Sequence, residues 1–479
     1  MHIQFKNFGL STQSKELFSS FTAQVNEGDR IAIIGRNGSG KTSLLKAILG
    51  EIEPTEGTIQ CSDSTILSYV SQLDNLHTGL SGAQSFNKRL SKALSNFPNV
   101  LILDEPTNHL DADNRKSLIN MLKYFYGILI IVTHDVAFIN SIANTIWEID
   151  SGRIHIFKGR YDDYQQEKLH KKNHLLKQVD QIDREKKQAH LKLMKEQKRA
   201  ASSKSQGQKS IDNRKWATVV SKAKTDRGNT TANKNKAALV QNQQALKQKL
   251  KDLHFVEEIK PSFELGKFSV SKGNIITISD GQLRYKGEGE AKASAIVNNI
   301  NLKVMSGDRI ILQGKNGSGK TSFLKALISH PSICTSGDWE LIRPNDIGYL
   351  DQKYANLDEN LTVYESVKQV QPKWIDQDIR HKLNEFLFRK NEEVFKPIRV
   401  LSGGEKVRLS LCLLSTLTPK LLILDEVTNN LDMETKEHVA CVIEQYPGTL
   451  LIISHDTHFL ERINCSRRIT VENNMLVEE

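Results

Sequence analysis

Residues 35–42 read GRNGSGKT, and residues 314–321 read GKNGSGKT. Each stretch follows a short apolar run (30–34 and 309–312) and precedes a helix-favouring segment (43–49 and 322–328). Strand, glycine-rich loop and helix together let backbone N–H groups turn inward around phosphate oxygens, with a helix dipole behind them. Gly35, Asn37, Gly38, Ser39 and Gly40 would form one cradle; Gly314, Asn316, Gly317, Ser318 and Gly319 would form the other. Lys41 and Lys320 are placed to reach the β- and γ-phosphates of ATP, and Thr42 and Thr321 to hold Mg²⁺. The expected fold class is α/β.

The chain repeats itself beyond these loops. NVLILDEPTNHLD at 99–111 recurs as KLLILDEVTNNLD at 420–432, and LIIVTHD at 129–135 recurs as LLIISHD at 450–456. Asp104 and Asp425 end apolar runs, as buried parallel strands would, and can orient Mg²⁺ and its waters. Glu105 and Glu426 come next and would polarise an attacking water. A lone histidine at a strand end is usually structural, but His134 and His455 are duplicated in place, which favours sensors of the γ-phosphate. Two homologous domains are expected, 1–157 and 261–479, with residues 158–260 as a linker.

The bulk numbers narrow the class. A chain of 479 residues exceeds one ordinary core. It has no run of about 18 apolar residues, the length a membrane helix needs, and its start, MHIQFKNFGL, lacks a signal-peptide layout. The five cysteines have no metal spacing, so unpaired thiols in the cytoplasm are expected. Of the net +10, residues 158–260 carry a surplus of 14 positive charges, which leaves the two domains slightly acidic together. That distribution points to a polyanionic partner met mainly by the middle segment.

Together these motifs resemble the ABC ATPase superfamily over nearly the whole chain. The distinguishing signature would be LSGAQ at 80–84 and LSGGE at 401–405. The resemblance implies two domains docked head to tail within a monomer, each sandwiching one ATP. One site would pair residues 35–42 with Ser402, Gly403, Gly404 and Glu405; the other would pair 314–321 with Ser81, Gly82 and Gln84. Asp111 and Asp432 would lie at the seam, and Gln72 and Gln352 would serve Mg²⁺. Departures from the general pattern are Ala83 for a signature glycine, Val427 where the first domain has Pro106, and no adenine-stacking aromatic near Thr12. Tyr285 would supply that aromatic in the second domain.

Two fused ABC domains, a charged linker and no membrane domain resemble the ABC-F family of ribosome-associated ATPases. The family linker is an antiparallel helical hairpin that enters the tRNA exit site and points toward the peptidyl-transferase centre, so rRNA and tRNA are the implied partners. Spacing refines this. Seven residues separate Gln72 from LSGAQ, but 48 separate Gln352 from LSGGE. Seven residues make at most about two helical turns. The first domain has therefore lost most of the helical subdomain by which a transporter motor grips its membrane partner. This shortening, with IWEIDSGRIHIFKGRYDDY at 146–164, resembles the antibiotic-resistance branch, the Vga-, Lsa- and Msr-like proteins.

Within the linker, residues 163–199 and 237–255 read as two helices with apolar seams, Leu175, Val179, Ile182, Ala189 and Leu193 against Leu239, Leu246, Leu250 and Leu253. The tip, KSIDNRKWATVVSKAKTDRG at 209–228, sets Trp216, Val219 and Val220 among cations, suited to unstacked bases and phosphates. A buried Trp in a hairpin cap is the plainer reading. Ribosome protection against antibiotics is the leading expectation. A housekeeping factor for stalled ribosomes is the alternative; a fused transporter ATPase and a DNA-repair ATPase fit less well.

Overall fold

The computed structural model describes residues 1–12, 15–72, 82–108, 110–212, 273–286, 295–351, 354, 357–429 and 431–478. The chain divides into two compact units: Met1–Tyr161 with Glu258–Glu479, and Asp162–Glu257. Ser81, Gln352, the linker tip with Trp216, Val219 and Val220, and the second linker helix lie outside the described residues.

The first unit contains the same α/β architecture twice. In the first copy β1 (His2–Thr12), β2 (Lys15–Asn26) and β4 (Glu56–Cys61) form an antiparallel sheet in the order β2-β1-β4. The larger sheet uses β3 (Arg30–Gly35), β5 (Leu67–Val70), β6 (Val100–Asp104), β7 (Ile128–Val132), β8 (Thr145–Asp150) and β9 (Arg153–Lys158), in the order β5-β6-β7-β3-β8-β9. All its neighbours are parallel except β8 and β9. The helices are α1 (Lys41–Ile48), α2 (Gly82–Leu94), α3 (Ala112–Lys123) and α4 (Val136–Ile142).

Every residue of β6 and β7 is buried, as expected of parallel strands covered on both faces. Alternate side chains serve opposite cores. Val100, Ile102, Ile128 and Ile130 face the β-rich cluster around Phe5, Phe18 and Trp147, whereas Leu101, Leu103, Leu129 and Ile131 pack with Phe86, Leu90 and Phe138. Register then sets the site. Asp104 on β6 and Ile33 on β3 both pair with Val132 on β7, so the β6 carboxylate and the start of the glycine loop stand at one level.

The second copy repeats this plan. Its small sheet is β11 (Val297–Met305), β10 (Asn274–Tyr285) and β13 (Ile333–Leu341). Its large sheet runs β14 (Ile347–Leu350), β15 (Leu421–Asp425), β16 (Thr449–Ile453), β12 (Arg309–Gly314), β17 (Arg467–Glu472), β18 (Met475–Glu478). Its helices are α6 (Lys320–Leu327), α7 (Val363–Val370), α8 (Asp376–Glu385), α9 (Asn391–Val394), α10 (Gly403–Leu417), α11 (Met433–Glu444) and α12 (Thr457–Arg462).

Helices α7 to α9 have no counterpart among the described residues of the first copy, and the surfaces have adapted to that. On α10, Leu409, Cys412 and Leu413 are buried in a core that includes Val367, Ile379 and Phe386 from α7, α8 and the end of α8. The equivalent positions of α2, 321 residues earlier, carry exposed Lys88, Ser91 and Lys92. Only one face of α2, with Phe86, Leu90 and Ala93, remains buried.

In the second unit, α5 (Tyr161–Asp212) runs 52 residues, about 78 Å at 1.5 Å per residue. It continues past Arg199, where the sequence reading ends the helix, through the serines and Gly207. A single interior glycine costs only about 1 kcal/mol, which flanking helix formers offset. Val179 and Ile182 are partly buried, while Leu191 is exposed. No helix among the described residues is long and apolar enough to cross a membrane.

Candidate functional site

Both glycine loops close tightly onto their strands. A Cβ on Gly35 would meet Ile149 O at 2.7 Å, and one on Gly314 would meet Val471 O at 2.7 Å. Lys41 Nζ donates to Gly35 O at 2.7 Å and Arg36 O at 3.0 Å; Lys320 Nζ donates to Gly314 O at 2.8 Å and Lys315 O at 2.9 Å. The two ammonium groups are thus held inside their loops, and burial lowers the pKa of each.

Next to each lysine, a threonine meets the strand-end aspartate. Thr42 Oγ1 donates to Asp104 Oδ2 at 3.3 Å, and Thr321 Oγ1 to Asp425 Oδ1 at 3.3 Å. Tyr69 and Tyr349, which the sequence reading did not single out, donate to the same carboxylates at 3.4 and 3.2 Å. Burial raises the Asp104 carboxyl, and burial with Glu426 nearby pushes Asp425 up to about 6.

Glu105 and Glu426 adopt left-handed backbone, φ 49° and 50°, a strained choice for residues with a side chain. The backbone N–H of each donates to the neighbouring strand, at Val132 O and Ile453 O. This turn aims the carboxylates at the histidines: His134 Nε2 lies 3.5 Å from Glu105 Oε1, and His455 Nε2 lies 3.9 Å from Glu426 Oε1. Burial raises the Glu105 carboxyl and lowers the His134 imidazole. Burial, with Lys320 and Arg115 acting in the same sense, takes His455 to about 4. Both imidazoles are therefore neutral at pH 7. Asn429 Nδ2 donates to Glu426 Oε2 at 2.9 Å.

The two copies meet at these sites. Asn37 N in the first loop donates to Asp432 Oδ2 at 2.9 Å. Burial would raise the Asp432 carboxyl, but bonds from Thr435 and Asn37 hold it below its ordinary value. Asp111 is held low in the same way by Asn114 and by the backbone of Asn316 in the second loop. Arg36 forms a bidentate pair with Glu434, and Lys315 lies 3.8 Å from Asp113. Glu105, Arg115, His134, Asp135, Lys436 and Asp456 line a small polar cleft between the copies.

Of the second signature, Ser402 caps α10 in a reciprocal box: Glu405 N donates to Ser402 Oγ at 3.3 Å and Ser402 N to Glu405 Oε2 at 2.7 Å. Lys396 completes the Glu405 carboxylate at 3.1 Å, so that group is committed to its own helix end. Gly404 packs so closely on α11 that a Cβ would meet Thr435 Oγ1 at 2.9 Å, and α11 is the helix whose first turn touches the first loop. Of the first signature, Gly82 and Gln84 begin α2, with Gln84 exposed. Gln72 is exposed two residues beyond β5, and Arg89 donates to its carbonyl at 3.4 Å. Tyr285 ends β10 with its ring more than half exposed and its hydroxyl 3.1 Å from Ser322 Oγ, in the first turn after the second loop. Buried Val427 fills the place of buried Pro106.

Ser39 Oγ, Ser318 Oγ, both ring nitrogens of His134 and His455 Nε2 are buried without a hydrogen-bond partner in the protein. Buried polar atoms are normally satisfied. Orphans gathered around two glycine loops fit a ligand rich in oxygen, and the hydroxyl–carboxylate pairs fit a hard cation such as Mg²⁺. The sequence reading missed Arg36, Arg115, Glu434 and Lys436. Their signal was a basic residue repeated at the 321-residue offset, Arg115 and Lys436, with no motif of its own.

Two P-loop domains that complete each other's sites define an ABC-type ATPase. The ABC transporter family profile matches residues 18–75 and 297–429. Ribosome protection protein VmlR of Bacillus subtilis is 28% identical, over 98% of this chain and 87% of its own length. The erythromycin resistance ATP-binding protein MsrA of Staphylococcus epidermidis is 30% identical over 91% of each chain. ATP-binding protein Uup of Buchnera aphidicola is 28% identical, over 96% of this chain and 79% of its own length. Among solved structures, the archaeal ribosome recycling factor aABCE1, in complex with the ribosomal stalk protein aP1, shares the tandem fold (TM-score 0.59, 15% identity, 97% of this chain and 87% of that one). The chain belongs to the ABC-F family of ATP-binding proteins.

Proposed function

We propose that this chain is a ribosome-binding ATPase whose interdomain segment enters the exit-site region and protects the ribosome from antibiotics. The observation that carries the ATPase half is the seam, where Asp432 grips the backbone of the first loop and Asp111 that of the second. Each loop is complete only when both domains are in place, so nucleotide binding and domain closure become one event.

In the first site, Lys41 and the loop N–H groups bind the phosphates and Thr42, Asp104 and Gln72 hold Mg²⁺. Glu105 orients the attacking water and His134 contacts the γ-phosphate. Lys320, Thr321, Asp425, Gln352, Glu426 and His455 take these roles in the second. By the family resemblance, Ser402, Gly403 and Gly404 would serve the first site, and Ser81 and Gly82 the second. Mg²⁺ supplies charge neutralisation between the phosphates. Tyr285 stacks on adenine in the second site.

The partner follows from α2. Lys88, Ser91 and Lys92 stand where the second domain buries Leu409, Cys412 and Leu413. A symmetrical pair of membrane subunits would find no matching helical surface among the first domain's described residues. The surplus of 14 positive charges over residues 158–260 suits RNA. VmlR is named for ribosome protection and MsrA for erythromycin resistance, which favours protection over a housekeeping role. The proposed setting is the cytoplasm.

A susceptibility panel tests this reading. A drug-sensitive bacterium expressing the chain is challenged with lincosamides, pleuromutilins, streptogramins A, macrolides and phenicols, beside an E105Q/E426Q control. Selective protection that the control lacks is expected. No protection, together with ribosome-bound growth arrest by the control, would instead establish the housekeeping role.

A further inference from the structure

Two cations cross the seam at equivalent positions. Lys436 Nζ, on α11 of the second domain, donates to the backbone carbonyl of His134 in the first at 3.0 Å. It also donates to Asp456 Oδ2 of its own domain at 2.6 Å. Arg115 Nη1, on α3 of the first domain, donates to the carbonyl of His455 in the second at 2.9 Å and pairs with Asp135 Oδ2 of its own domain at 3.2 Å. The two aspartates cap the helices that follow the histidines: Asp135 Oδ1 accepts from Phe138 N and Asp456 Oδ1 from Phe459 N, each at 3.1 Å.

We propose that Arg115 and Lys436 are positioning residues, each delivered across the seam to fix the switch histidine of the opposite ATP site. The proposal rests on the reading of Glu105, His134, Glu426 and His455 as the two hydrolytic centres.

The geometry says why such a strut matters. An imidazole is aimed by the peptide unit that carries it. Lys436 holds the His134 carbonyl from outside the domain, while Arg115 grips the carboxylate of the next residue from inside. The mirror arrangement holds His455. All four side chains are largely buried, so each cation–carboxylate pair is desolvated and its geometry costly to disturb. Arg and Lys each bond the opposite histidine's carbonyl and pair with an aspartate of their own domain, as an ion pair for Arg115 and a hydrogen-bonded ion pair for Lys436, so the position, not one side chain's habit, carries the carbonyl bond. A domain that swings away withdraws its cation from the other domain's histidine. Closure and aiming of the imidazole are then one step, and a misplacement of about 1 Å in such a group costs up to about 100-fold in rate.

The test uses the full-length chain and the variants K436M, R115M, K436R and R115K. Turnover and nucleotide affinity are measured separately, the latter with a fluorescent ATP analogue. K436M and R115M each lower kcat at least about tenfold and leave nucleotide affinity within about twofold, and K436R and R115K restore most of the rate. K436M strands the Asp456 carboxylate, so K436M/D456N removes that orphan charge; the rate loss persists if the lost bond to His134 is its cause. Phosphate released in the first turnover then assigns each cation to its site. In an E426Q background, which leaves the first site active, K436M slows release far more than R115M; in an E105Q background the order reverses. Turnover within about twofold of the parent in both methionine variants, full recovery in K436M/D456N, or equal slowing of both sites by either variant overturns the proposal. First-turnover release unaffected by either Glu→Gln change would instead overturn the reading of the hydrolytic centres.

Discussion

The backbone N–H of Asn37 donates to the Asp432 carboxylate at 2.9 Å across 395 residues of sequence. The same carboxylate caps α11 by accepting from Thr435 N at 2.8 Å. One side chain therefore starts a helix and closes a site in the other domain. D432A loses both roles, and about 1 kcal/mol of stability is expected to go with the cap. D432N keeps a competent cap but loses the charge at the seam. Thermal unfolding and ATPase assays on the pair should show D432N close to the parent in stability yet well below it in turnover. Equal turnover in D432N and the parent would remove Asp432 from the site.

The strained turns at Glu105 and Glu426 make a second expectation. A left-handed φ is kept by a non-glycine residue only where surrounding structure enforces it. Here it directs two carboxylates toward their histidines. Turnover of E105Q/E426Q should fall by about 100-fold or more, the scale of a lost general base, while ATP binding is retained. A phosphate-release assay beside a binding titration reads both.

Gly35 offers a backbone test of the first cradle. Its would-be Cβ lies 2.7 Å from Ile149 O, which is backbone and does not yield as a flexible side-chain tip would. G35A should weaken ATP binding at the first site and lower the melting temperature. G38A should disturb packing less, because a Cβ there meets nothing within 4 Å, although its φ of 77° still strains the loop. Differential scanning fluorimetry with and without ATP separates the two effects.

The contrast between α2 and α10 predicts opposite responses to matched changes. Leu409 is fully buried under the helical insert, so L409K should cost about 3 kcal/mol or more in denaturant unfolding. Lys88, its counterpart on α2, is exposed, and K88L should change stability by no more than about 0.5 kcal/mol. A large stabilisation by K88L would mean that α2 has an apolar cover after all.

Much of this was readable beforehand, for reasons that differ by residue. The LILDE strands were legible because four consecutive apolar residues buried on two faces leave no competing pattern, and the carboxylate that ends them announces itself. The glycine loops carry their geometry in residue type alone. The insert that holds α7 to α9 could be inferred from the 48-residue spacing. The antiparallel sheets around β1 and β10 were not foreseen, because their bulges near Phe8 and Gly281 break the alternation that marks a strand. The end of α5 was set too early, because serines and a glycine weaken helix propensity without ending a helix. Arg36 and Glu434 were invisible, and Arg115 and Lys436 showed only as a repeated basic residue: a surface charge and a seam charge look alike until the partner domain is in place.

The central claim, an ATPase that closes on the ribosome, is tested most directly by co-sedimentation. The E105Q/E426Q chain is spun with purified ribosomes in ATP and in ADP. Near-stoichiometric binding in ATP and little in ADP is the expected result. Absence of ribosome binding in both nucleotides, from a chain that still binds ATP, would contradict the account.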